Sequence, residues 1–118
     1  MPTSRSVLIV EDHEETRAGY QLFLEQRGWH VSSAPSGEQA LRQLLELRPS
    51  VIVLDVMLPG INGLKVLERL RNHSRWQRIP VLVLTGHDLA GQPEGCARLL
   101  SKPLRPEELA AEIERLVP

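Results

Sequence analysis

A single cysteine, Cys96, stands in this 118-residue chain, so no internal disulfide can form and the composition fits a reducing compartment. Excess charge of either sign is missing: 14 basic residues face 15 acidic ones, which excludes wholesale electrostatic binding to nucleic acid. Long hydrophobic runs are missing as well. The polar first residues lead into an apolar run of only four, Val7 to Val10, too short for a signal peptide or a membrane span. A cytoplasmic protein without a membrane role is expected. No G-x-x-x-x-G-K-[ST] loop is present to cradle a nucleotide, and no G-x-S-x-G elbow to present a serine nucleophile. The histidines show no H-x-x-x-H spacing, so His13 and His87 do not read as a transition-metal site. Lysine is scarce too. Only Lys65 and Lys102 occur among the basic residues, the rest being arginine. An ammonium and a guanidinium are not interchangeable at a tight anion site, which draws attention to Lys102.

What the chain does have is three short apolar runs that each end on a polar residue. Val7, Leu8, Ile9 and Val10 run into Glu11 and Asp12; Val51, Ile52, Val53 and Leu54 into Asp55; Val81, Leu82, Val83 and Leu84 into Thr85. Such runs read as strands buried on both faces, as in a parallel sheet covered by helices. Ligands of such sheets bind beyond the carboxyl ends of the strands, so the three carboxylates and the hydroxyl share one functional rim.

Helical and strand patterns alternate along the rest of a chain whose length suits one domain. Residues 13–27 read as a helix with Tyr20, Phe23 and Leu24 on one stripe and Gly28 as terminator, followed by a second strand over 29–34. Ser36 and Gln39 have capping-box spacing and open a helix carrying Leu41, Leu44 and Leu45 on one face. Turn chemistry over 58–63 precedes a third helix marked by Leu64, Leu67 and Leu70. A fourth strand fits 79–84 and a fifth 97–101. Pro106 then starts a last helix with Leu109, Ile113 and Leu116 inward. The connection over 86–96 holds Gly86, Gly91, Pro93 and Gly95, so it is expected to cross as a loop with at most one helical turn.

These residues resemble the response-regulator receiver domain of two-component signalling over nearly the whole chain, read as one domain, 1–118, free-standing or cut from a longer protein. The resemblance is carried by Glu11 and Asp12 after the first strand, Asp55 within D-V-M-L-P-G-I-N-G, Thr85 and Gly86 after the fourth, and Lys102 and Pro103 after the fifth. It implies an α/β, flavodoxin-like, doubly wound five-stranded parallel sheet in the order 2-1-3-4-5; the breakers over 86–96, and not the resemblance, make the helix between strands four and five short or absent. It further implies that Asp55 is a phosphoacceptor charged by a histidine kinase or a histidine phosphotransfer protein. Mg²⁺ would be held by Asp12, Asp55 and the Met57 backbone carbonyl, with Glu11 orienting it through water. Phosphoryl transfer needs positive charge around its equatorial oxygens, which suits Lys102 and the Thr85 hydroxyl, with small Gly86 leaving room. Pro103 would permit a cis peptide that aims Lys102.

Two positions depart from the family pattern. Leu99 stands where receivers usually carry a switch aromatic, and Leu104 where Phe is common. With the fourth helix absent, the phosphoryl site reads as intact while the usual readout does not. A phosphoacceptor of this kind would signal by another route or act by dephosphorylation alone, as a phosphate sink; an adaptor that binds partners without phosphate is the second reading, and a metal-dependent phosphohydrolase, a third, lacks room for a cap or substrate pocket. The basic stretch Arg69, Arg71, Arg75, Trp76 and Arg78 reads as a solvated helix end, favourable on its own account.

Overall fold

The computed structural model describes residues 5–86 and 91–117. The elements follow in the order β1 (Ser6–Val10), α1 (Glu14–Gln26), β2 (His30–Ala34), α2 (Gly37–Gln43), β3 (Val51–Asp55), α3 (Gly63–Arg71), β4 (Val81–Thr85), β5 (Arg98–Ser101) and α4 (Pro106–Leu116). All five strands are parallel and lie in the order β2-β1-β3-β4-β5.

The apolar runs hide a period of two. Leu8, Val10, Ile52, Leu54, Val81 and Val83 face the layer of α2 and α3, packing with Ala40, Leu44, Leu67 and Leu70. Val7, Ile9, Val51, Val53, Leu82 and Leu84 face the other way, against Tyr20 and Leu24 of α1 and Leu109 and Ile113 of α4. Because both faces are covered, every position is apolar and the alternation vanishes from the hydropathy pattern. At about 1.5–3 kcal/mol for each fully buried Leu, Ile or Val, these three strands anchor the domain.

Helix starts follow local chemistry. The Ser36 hydroxyl accepts the Gln39 N–H at 3.2 Å, Asn62 Oδ1 accepts the Lys65 N–H at 3.0 Å, and His13 Nδ1 accepts the Thr16 N–H at 3.3 Å. Gly28, with φ at 93°, takes the left-handed turn that ends α1. α2 stops at Gln43, sooner than its leucines suggest. Leu44 is fully buried, but the chain then turns and Leu45 is left 58% exposed, not inward as its spacing implies. The strand boundaries also move: β4 begins after Pro80, which has no N–H for a ladder, and β5 begins after Ala97.

Between β4 and β5, no described residue is helical: Gly86 and residues 91–97 form bends and turns, as their glycines and proline dictate. His87 lies outside the described residues. Arg71 reaches toward this connection from the end of α3. Its Nη2 donates to the Ile79 carbonyl at 2.6 Å, and its aliphatic stem occupies the space that a Cβ on Gly95 would need. Among the described residues no helix is long and apolar enough to cross a membrane.

Candidate functional site

Three central strands deliver their last side chains to one rim. Glu11 continues the β1 ladder by donating its N–H to the Ala34 carbonyl at 3.0 Å, which turns its carboxylate inward to 1% exposure; Asp12 is exposed. Asp55 is the last residue of β3 and Thr85 the last of β4, each 3% exposed. The Lys102 N–H donates to the Thr85 carbonyl at 2.8 Å, one step beyond the β4–β5 register, and so brings the lysine to the same rim. The Lys102–Pro103 peptide is cis.

Lys102 ties the pocket together. Its Nζ donates to Asp55 Oδ2 at 2.8 Å and to Glu11 Oε1 at 3.0 Å. The remaining oxygens take backbone donors: the Met57 N–H meets Asp55 Oδ1 at 3.1 Å, and the His13 N–H meets Glu11 Oε2 at 3.0 Å. Glu11, Asp12 and Asp55 each place a carboxylate oxygen within 4.8 Å of the others. Three carboxylates against one ammonium leave two negative charges without a counter-ion. Burial pushes the Glu11 carboxyl up, against the His13 N–H and Lys102, which pull it down. Burial alone would lower Lys102, but its hydrogen bonds and charge attraction to Asp55 and Glu11 outweigh that and hold it above the usual lysine value. The ammonium stays charged. An all-oxygen cluster short of two positive charges has the donor chemistry of a hard divalent cation such as Mg²⁺.

The five residues expected at the rim (Glu11, Asp12, Asp55, Thr85 and Lys102) all lie there. Met57 lies at its lip, 57% exposed, and open space among the described residues surrounds the position of a Gly86 Cβ. Leu99 sits in β5 opposite Val83, partly buried against the α2–α3 side of the core. His13 is an exposed helix cap.

Three contributors escaped sequence reasoning. Arg17 Nη1 donates to the Glu11 carbonyl at 2.8 Å, bracing the turn that presents Glu11 and Asp12. The Tyr20 hydroxyl donates to the Leu104 carbonyl at 2.8 Å, fastening the chain after Pro103 to α1; burial pushes this phenol up. Gly63 opens α3 with its N–H on the Val56 carbonyl at 2.9 Å, and a Cβ there would collide with the Asp55 carbonyl oxygen. A glycine immediately after an Asx cap was the one available signal, and it pointed to a turn as readily as to a close approach.

A doubly wound parallel domain with a carboxylate cluster and a lysine at the carboxyl ends of β1, β3 and β5 defines the class. The model of the response regulator receiver domain matches residues 7–114, and the chain belongs to that family, the receivers of two-component systems. It is 37% identical over 117 residues to the transcriptional regulatory protein AfsQ1 of Streptomyces coelicolor, covering 95% of this chain and 51% of that one. The chain spans about half the length of the curated relatives it matches. Chemotaxis response regulator CheY4 of Vibrio cholerae superposes with a TM-score of 0.89 at 28% identity, over 98% of this chain and 100% of that one. The receiver domain of sensor histidine kinase PA1611 from Pseudomonas aeruginosa, with a magnesium ion coordinated in its active site cleft, superposes with a TM-score of 0.86 at 27% identity, over 97% and 98% of the two chains.

Proposed function

We propose that this domain, spanning 1–118 as one unit, accepts a phosphoryl group on Asp55 from a histidine kinase or a histidine phosphotransfer protein in the cytoplasm, with Mg²⁺ bound. The observation that carries this reading is the double bridge of Lys102 Nζ to Asp55 and Glu11 inside a cluster two positive charges short. An Asp55 oxygen attacks phosphorus as the bond to the donor's histidine nitrogen breaks, leaving an acyl phosphate on Asp55. Lys102 then exchanges its bond to Asp55 for one to a phosphoryl oxygen. The Thr85 hydroxyl donates to another, beside Gly86. The Tyr20–Leu104 bond holds the segment after the lysine in place.

Asp12, Asp55 and the Met57 carbonyl would hold Mg²⁺, with Glu11 orienting it through water. When bound, the ion supplies the positive charge that lets two anions approach. The magnesium in the PA1611 receiver supports this assignment. By the same chemistry the domain hydrolyses its own acyl phosphate slowly, which makes it a switch or a phosphate sink and not a turnover enzyme. Downstream partners would be reached without the usual aromatic, since Leu99 fills that place, and this favours phosphate-independent binding as the second reading.

One assay separates the two. Incubated with Mg²⁺ and a small acyl-phosphate donor, the protein gains one phosphoryl mass in an intact-mass measurement, and Asp55→Asn gains none. An unmodified wild type would leave the adaptor.

A further inference from the structure

Twelve arginines occur in the chain. Seven hold a partner: Arg5 and Arg27 on Glu114, Arg98 and Arg115 on Glu112, Arg105 on Glu108, and Arg17 and Arg71 on backbone carbonyls. The five whose side chains make no hydrogen bond or ion pair among the described residues are Arg42, Arg48, Arg69, Arg75 and Arg78. All five line two adjoining grooves, of 500 Å³ and 560 Å³, that share Trp76. A helix C-terminus favours cations, which accounts for Arg42 and Arg69 at the ends of α2 and α3. It does not account for Arg48, Arg75 and Arg78, which lie in loops, nor for their gathering around an apolar floor.

That floor is Leu41, Leu45 and Trp76 in the first groove, with Ile79 and Pro80 in the second. Leu45, displaced outward by the early end of α2, is 58% exposed. Glu38, among the described residues the one acid lining the first groove, is already committed, its Oε2 accepting the Ile61 N–H at 3.2 Å. Among the described residues no acid lines the second. The grooves reach Ser50 and Pro80, which precede β3 and β4, so they extend to the opposite edge of the sheet from Asp55.

We infer that the arginine-rimmed groove between α2 and α3 docks an acidic segment of a partner protein that carries large apolar side chains. Charge complementarity chooses carboxylates for the rim, and an amphipathic helix or strand presents apolar anchors beside them. Nucleic acid would satisfy the arginines but not the floor. Trp76 is 7% exposed, its indole N–H donates to the Leu44 carbonyl at 3.3 Å, and His73 stacks on it at 3.9 Å, so its face is closed to a base.

The test is an NMR titration of the ¹⁵N-labelled chain with a helical peptide of glutamate bearing leucine at i, i+4 spacing. Parallel titrations use polyglutamate of equal charge and a single-stranded oligonucleotide. The leucine-bearing peptide is expected to shift the Trp76 indole and Leu45 amide signals and not the Trp29 indole. Its binding should weaken at least about tenfold in Arg42→Glu/Arg69→Glu and in Leu45→Glu, and weaken with added salt. Both variants change exposed side chains outside the Asp55 pocket, and unchanged spectra elsewhere certify their fold. No shift at the groove, equal affinity in the variants, polyglutamate binding as tightly, or tighter binding of the oligonucleotide would each overturn the inference.

Discussion

Lys102 satisfies two buried carboxylates at once, and its removal therefore exposes what the pocket costs. In Lys102→Ala, Glu11 and Asp55 face each other with only backbone donors, and breaking a buried pair in this way destabilises by about 3–5 kcal/mol. Because the lysine is 25% exposed, the loss should fall at the lower end. Thermal melts should show it, and Mg²⁺ should raise the melting temperature of the variant by more than that of the wild type, since the ion answers a larger charge deficit. Equal shifts would remove the pocket as the ion's site. Tyr20→Phe deletes only the hydroxyl on the Leu104 carbonyl and should cost about 1 kcal/mol in denaturant unfolding. That bond joins residues 84 apart in sequence, and no periodicity reveals it. Tyr20 read as one member of an apolar stripe, which it also is.

At the scale of elements, the apolar runs announced the strands because both faces of each are covered, and the polar residue ending each run announced the rim. Helix faces were less legible. Leu41, Leu44 and Leu45 look alike on a helical wheel, but α2 ends at Gln43, so the wheel no longer applies to Leu45. The start of α3 was hidden for another reason: Gly63 serves a neighbour eight positions upstream, through space. Gly63→Ala should push the helix off the Asp55 carbonyl and destabilise by about 1–3 kcal/mol, the range for overpacking. Urea unfolding should show a lower midpoint with an unchanged slope, whereas unchanged stability would mean that α3 yields freely there.

For the molecule as a whole, the charge network opposite the pocket predicts the response to acid. Glu114 on α4 accepts Arg27, at the end of α1, at 2.8 Å and 3.0 Å, and Arg5, just before β1, at 3.5 Å. The hydrogen bonds from Arg27 hold its carboxyl below the usual carboxylate range. A carboxyl lowered by folding stabilises the native state above its unfolded pKa, and that contribution disappears as pH falls through its folded pKa. Glu114→Gln should therefore melt below the wild type at neutral pH, with the gap closing in acid; circular dichroism melts across that range check it. A gap that persisted in acid would assign the loss to packing. The alternation of βα units made a parallel sheet legible and the family resemblance implied its strand order, while this stapling of three separate segments was not legible, since arginine and glutamate are too common to mark their partners. The lysine bridge has a consequence for biosynthesis. Lys102 meets Glu11 across 91 residues and Asp55 across 47, so a chain emerging from the ribosome carries both acids long before their counter-ion exists. The sheet's most costly charges are neutralised only when β5 docks, so completion of the pocket waits on the segment that carries Lys102.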